Sequence, residues 1–265
     1  AGVIAVNGSG VVVEDGDSVA LLTQGFRTYK TLHLPPAPTQ PPPRDKWTPR
    51  WEPRASYTGN SVLLQGTSLL QDHGPWLWLD AQRLELTHHW SVTQASGPAI
   101  SDSQIAMPVQ YPNSQVPLVL FRGFTTPWQA ARVPPPLSDN VNVFFVGPGE
   151  ITYSRFLSRL DGSEVKLLPA GAGPIGFGPA VASSGERVVF ARHREHGGFA
   201  AFDVPSYAEV TGLYLFDCGS LDPTAEMSVE GSRARDPQAV LSAEGNLLAL
   251  LSADNARLEI YKLPP

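Results

Sequence analysis

The chain has 265 residues, 42% of them hydrophobic and 17% charged, enough for a sizeable core and too apolar for a disordered chain. A formal charge of -6 argues against a nucleic-acid partner, which would need clustered Lys and Arg, and the densest basic group, Arg44 to Arg54, is interleaved with prolines and acids. No apolar run approaches the roughly 20 residues that span a bilayer as a helix, and the 26 prolines and 24 glycines leave no sustained helical spacing, so the expected class is all-β.

In chain order, Gly2 to Val6 reads as a strand, and Asn7-Gly8-Ser9 is an acceptor tripeptide of the kind chance also produces. The start at Ala1 has the form of a chain whose export signal has been removed, so a secreted or periplasmic location is the expectation. Asp15-Gly16-Asp17 lacks the further oxygen ligands of a calcium loop and reads as a turn, opening the segment VEDGDSVALL. From Leu34 to Arg54 runs LPPAPTQPPPRDKWTPRWEPR, whose prolines favour an extended surface connection over a strand except at a sheet edge. Its Trp47 and Trp51 either pin the connection to its own domain or project as partner anchors.

SYTGNSVLL and then PWLWLDAQRLELTHHW follow, with Trp76 and Trp78 on one strand face as core and His88-His89 on opposite faces, a poor pair for one metal ion. Next come ISDSQIAM, PLVLFRG and LSDNVNVFFV. GAGPIGFGP lacks the following helix of a dinucleotide fingerprint and reads as a link between units. ASSGERVVFA leads into HREHGGFAAFDVPSYAEVTG, a loop or hairpin extension carrying His193, Glu195 and His196, and then into GLYLFDC. The lone Cys218 excludes an internal disulfide and reads as a small buried hydrophobe. LSAEGNLLALL and RLEIYKL close the chain.

Six of these segments repeat one device, a short polar turn followed by a β-prone apolar run. With Gly16, Gly59, Asp102, Asp139, Gly185 and Gly245 as markers, the spacings are 43, 43, 37, 46 and 60 residues, mostly close to a four-stranded propeller blade. The S-x-(D/E)-G turn and the L-Y-L-F-D and L-E-I-Y-K strands resemble those of WD-repeat and YVTN-type β-propellers, without the Gly-His and Trp-Asp dipeptides of true WD repeats. The resemblance implies a single β-propeller domain over 1–265, of about six four-stranded blades. It implies a ring closed by Gly2 to Val6 pairing with the last unit, a Pro-rich insertion at 35–54 and an extended loop at 193–211.

No G-x-S-x-G, phosphate loop or four-ligand zinc spacing is present, so no catalytic residue, metal or cofactor is assigned. The expected role is a non-catalytic protein–protein interaction or scaffold module, an accessory subunit of a larger complex, binding its partner through Arg44, Trp47, Arg50, Trp51 and Arg54. The alternative is an enzyme or small-ligand-binding propeller with its site at the central channel mouth; carbohydrate binding by exposed Trp residues is the third reading.

Overall fold

A computed structural model describes residues 2–23, 25–37, 51–66, 74–92, 98–109, 118–123, 129–132, 143–153, 155–173, 175, 178–196, 207–229, 237–252 and 257–265. Described residues form strands, bridges, turns and bends, with no helix. The chain divides into two compact units, Ala1–Pro135 and Pro136–Pro265.

The first unit holds three antiparallel sheets. Sheet 1 runs β1 (Gly2–Asn7), β2 (Gly10–Asp15), β3 (Ser18–Leu22), β4 (Thr28–His33). Sheet 2 runs β5 (Trp51–Ala55), β6 (Ser61–Gly66), β7 (Gly74–Asp80), β8 (Glu85–Val92), and sheet 3 runs β9 (Ala99–Ile100), β10 (Gln104–Val109), β11 (Leu118–Gly123), β12 (Gln129–Arg132). In the second unit, sheet 4 runs β13 (Val143–Phe145), β14 (Glu150–Tyr153), β15 (Phe156–Arg159), β16 (Val165–Leu167). Sheet 5 begins with β17 (Ala172–Gly173) and β18 (Ala180–Val181), which both pair with β19 (Arg187–His196), and continues to β20 (Tyr207–Asp217) and β21 (Pro223–Ser228). Sheet 6 has β22 (Gln238–Leu241), β23 (Leu247–Leu251) and β24 (Leu258–Lys262).

Among the described residues, five sheets therefore have four or more strands and the last has three. This corrects the expectation of about six four-stranded blades. The expected ring closure is corrected too: β1 pairs with β2 inside sheet 1, because the Asn7–Gly10 turn sends the chain straight back, with Val6 opposite Val11. In that turn the Ser9 N–H donates to Asn7 Oδ1 at 2.8 Å, a side chain mimicking a turn carbonyl.

The turn that opens a sheet has a common build. Ser56 N–H bonds to Ser61 O, Ala182 N–H to Arg187 O and Ser242 N–H to Leu247 O, with Gly59, Gly185 and Gly245 at positive φ in the same place. At Gly59 glycine is needed twice over, since φ is 73° and a Cβ would stand 2.0 Å from the Val6 carbonyl oxygen. Two sequence markers fall out of this register. Gly16 lies between β2 and β3, the second and third strands of its sheet, and Asp139 lies outside the described residues, the opening turn of sheet 4 being Val146–Glu150.

Three segments expected to be irregular contribute strands. The Pro-rich connection ends in β5, at the edge of sheet 2, where Pro53 lies opposite Leu64 and lacks only a donor that an edge can spare. The expected loop at 193–211 begins and ends in β19 and β20, which pair from Arg187↔Asp217 out to His196↔Tyr207; residues 197–206 lie outside the described set. GAGPIGFGP does not simply join units: it occupies the first-strand position of sheet 5 and splits it into β17 and β18, prolines 174 and 179 having no N–H for a continuous ladder.

Apolar residues of both strand faces are buried between successive sheets. Val62, Leu64, Leu77 and Leu79 of sheet 2 cluster with Val12, Val19 and Leu21 of sheet 1, while Leu63, Trp76 and Trp78 cluster with Ile100, Ile105 and Met107 of sheet 3. The turns after β7 and β20 add a knob to this packing. Leu84 (φ 53°) and Leu221 (φ 58°) adopt the left-handed region that a branched side chain disfavours, and both are fully buried, Leu84 in the core joining sheets 1 and 2 and Leu221 in that joining sheets 4 and 5. Replacing either by Ala leaves a cavity, and each variant is expected to lose about 2–5 kcal/mol of unfolding free energy. Urea titration read by intrinsic fluorescence checks this; an unshifted midpoint would show the knobs to be dispensable.

Candidate protein-interaction site

Of the five residues expected to bind a partner, Arg44, Trp47 and Arg50 lie outside the described residues. Trp51 is turned inward: it is 7% exposed, sits in the core of sheets 1 and 2, and donates its indole N–H to the Pro35 carbonyl at 3.0 Å. It therefore pins the connection to its own unit, and its reading as an outward anchor is corrected. Arg54, half-buried on β5, is different. Its Nε is buried without a hydrogen-bond partner among the described residues, and burial lowers its pKa below the usual guanidinium value, with Glu52 pulling the other way.

Polar side chains at the turns are spent on holding sheets together. The Asp102 carboxylate, at the opening turn of sheet 3, accepts from Ser56 Oγ at 2.7 Å, Thr58 Oγ1 at 2.6 Å and Asn60 Nδ2 at 3.2 Å, all on the opening turn of sheet 2. Asn7 Nδ2 donates to the Gly59 carbonyl at 2.9 Å and ties sheet 1 to the same turn. In the second unit, Arg159 bridges the Glu150 carboxylate to the Gly219 carbonyl, joining sheets 4 and 5.

A lysine clasp recurs beside each buried knob. Lys30 on β4 bonds the Arg83 carbonyl at 2.8 Å and Glu85 at 3.3 Å; Lys166 on β16 bonds the Ser220 carbonyl at 3.0 Å and the Asp222 carboxylate. In both places a knob leucine is followed by an acid, Leu84-Glu85 and Leu221-Asp222, and the acid meets a lysine from the preceding sheet. The corresponding turn of sheet 1, between β3 and β4, carries Phe26-Arg27 instead. Phe26 has the same left-handed backbone (φ 56°), held by bonds between Thr23 and both Phe26 and Arg27, yet it is 78% exposed, with Tyr29 and Arg27 exposed beside it. In sequence the turn differs from the others by an aromatic for the leucine and a base for the acid; that the aromatic is exposed while the leucines are buried is seen only in the fold.

The chemical candidates resolve as follows. His88 and His89 lie on β8, opposite Trp78 and Leu77, and His193 to His196 lie on β19 rather than in a free loop. Among the described residues, no group of three or more His, Cys, Asp or Glu could hold a metal ion. A constellation missed in the sequence is Ser18 Oγ, 2.9 Å from His33 Nδ1 and 3.2 Å from Asp17 Oδ1. Its carboxylate engages the serine, so it does not orient the imidazole as a general base would require. Cys218 is buried, as its sequence setting suggested, and its thiol donates to the Val146 carbonyl at 3.1 Å. Burial, with the nearby charges of Glu150 and Asp217, pushes its pKa up to about 12.

No protein-family model matches the chain, and no curated protein sequence does. Solved structures match over nearly all of it. Hsv2 from Kluyveromyces lactis aligns at 15% identity and a TM-score of 0.56, over 96% of this chain and 70% of its own. Hydrazine synthase of Kuenenia stuttgartiensis aligns at 13% and 0.51, over 97% and 81%, and TolB from Acinetobacter baumannii at 11% and 0.51, over 95% and 60%. The fold is a β-propeller. At these identities the propeller likeness extends to the fold alone. Among the described residues, no helix is long and apolar enough to cross a membrane.

Two measurements test this propeller's internal clasps. Asp102→Ala is expected to cost about 2 kcal/mol, since three donors lose a charged acceptor; thermal unfolding at matched pH would show it, and an unchanged midpoint would reduce the network to surface decoration. The raised pKa of Cys218 means that the folded state keeps its proton where the unfolded state releases it. That contribution to stability is present below pH 9.0, the ordinary value for the thiol, and is lost as pH rises toward about 12. Folded protein at pH 8 should accordingly resist alkylation and react only on denaturation; rapid labelling of the folded form would contradict the assignment.

Proposed function

We propose that this propeller is a non-catalytic interaction module, an accessory subunit of a larger complex, with the whole chain acting as one domain. The observation that carries the reading is Phe26. At the matching turns of sheets 2 and 5 the knob is a buried leucine seated on the preceding sheet; here the knob is a larger aromatic, strained, and presented to solvent. A large exposed aromatic beside an arginine is the composition of an interface anchor.

The chemistry of the partner follows from the reversal of charge. Where Glu85 and Asp222 meet lysines within the chain, sheet 1 offers Arg27, so the partner surface suited to it has an apolar hollow for Phe26 and a carboxylate beside it. The arm residues Arg44, Trp47 and Arg50, with Arg54, belong to the same proposal as a second contact for acidic groups.

The test is a native co-purification from source cells, resolved by size and mass spectrometry, using the intact chain, Phe26→Ser and a deletion of residues 38–50. One defined partner should co-purify with the intact chain, and its affinity for Phe26→Ser should fall by about thirtyfold. A chain that runs without any partner, or a partner held equally by both variants, would overturn the reading.

A further inference from the structure

Asn7-Gly8 is the one Asn-Gly step in the sequence. It lies in the turn that joins β1 to β2, with Gly8 and Ser9 between the register partners Asn7 and Gly10. Both polar atoms of the Asn7 side chain are engaged: Oδ1 accepts the Ser9 N–H inside the turn, and Nδ2 donates to the Gly59 carbonyl on the opening turn of sheet 2. That turn has little slack, since Gly59 has no room for a Cβ beside the Val6 carbonyl, and its Ser56, Thr58 and Asn60 bind the Asp102 carboxylate of sheet 3. The Asn7 amide is thus a latch on a turn that joins three sheets. Gly8, in contrast, is exposed, and nothing stands within 4 Å of the place a Cβ would take.

We propose that Asn7 is a site of deamidation and that its conversion releases this latch. The Gly8 backbone nitrogen gives its proton to solvent base and bonds to Asn7 Cγ; the Cγ–Nδ2 bond breaks, ammonia leaves, and a five-membered succinimide forms. Water opens that ring at either carbonyl, giving aspartate or isoaspartate, so one water enters for each ammonia lost and nothing is oxidised or reduced. Two features favour the step: glycine leaves its own nitrogen unshielded, and the Ser9 N–H polarises the side-chain carbonyl on which negative charge develops. One feature opposes it. The Gly59 carbonyl holds the leaving amide in place, so the reaction runs from the fraction of molecules in which the latch is open. Afterwards the latch cannot re-form. A carboxylate oxygen in the place of Nδ2 has no N–H to give and faces the Gly59 carbonyl as acceptor against acceptor. The Ser9 bond survives in aspartate, which serves such a turn as asparagine does, whereas isoaspartate adds a methylene to the backbone and breaks the pairing of position 7 with Gly10.

Ageing of the intact chain in mildly alkaline buffer, followed by peptide mapping with mass spectrometry, tests the proposal. The Asn7 peptide should gain about one dalton and contain isoaspartate, ahead of the peptides of Asn60 and Asn246. In urea, where the latch is gone, it should convert about tenfold faster. Gly8→Ala fills open space and should slow the conversion about tenfold, with an unchanged circular dichroism spectrum. Hydrogen exchange reads the release separately. The buried Gly59 N–H, bonded to the Ser56 carbonyl, should exchange about fivefold faster in Asn7→Asp and in the aged chain than in the fresh chain, and at the fresh rate in Gly8→Ala. An Asn7 that keeps its amide, a conversion rate unmoved by urea or by Gly8→Ala, or an unchanged Gly59 exchange rate in Asn7→Asp would each overturn the proposal. None of these results depends on Phe26.

Discussion

A β-sheet that is apolar on both faces is stable only when something covers both, and the architecture follows from that requirement. Sheet 2 sends Val62, Leu64, Leu77 and Leu79 one way and Leu63, Trp76 and Trp78 the other, so it demands a sheet on each side, and sheets 1 and 3 supply them. Sheet 5 makes the same demand, met by sheets 4 and 6. Each such contact removes apolar surface at about 25 cal/mol per Å². The hydrophobic term is non-directional, however, and polar contacts must fix which turn meets which.

Those polar contacts are local and repetitive. An opening turn is closed by a backbone bond across its glycine, and a side chain reaches the turn of the neighbouring sheet: Asn7 to Gly59, Asp102 to Ser56, Thr58 and Asn60. The turn after the third strand adds a left-handed leucine and a lysine clasp. The exposed lysine–carboxylate pairs themselves contribute little. Their lysines also bind backbone carbonyls, which fixes the position of the turn and with it the seat of the buried knob. Function is sought where such contacts are not seen among the described residues: at Phe26, a knob presented to solvent.

Much of the architecture was legible in the sequence because it rests on short-range chemistry. Gly59, Gly185 and Gly245 announce their turns through a need for positive φ, alternation gives the strands, and Trp76 and Trp78 follow from a period of two. The failures have a common cause. Asp15-Gly16-Asp17 is chemically as good a turn as the others, and only pairing reveals that it joins second and third strands. The N-terminal strand could have paired with either end of the chain, and the Asn7–Gly10 turn decided for β2. Proline density hid β5 because the rule against proline in strands is relaxed at an edge, and edges are a property of the assembled sheet. For the site, Trp51 and Phe26 were indistinguishable from one another's roles: which aromatic is buried depends on whether a neighbouring sheet lies over it.

Hydrogen exchange, followed residue by residue, tests most directly the claim that the described sheets are satisfied internally while the Phe26 turn is left to solvent. Strands β7 and β20, paired on both edges, should exchange slowly along their lengths. The exposed Phe26 turn should exchange fast. Slow exchange throughout the Phe26 turn would contradict the account, because a covered turn has no anchor left to offer a partner.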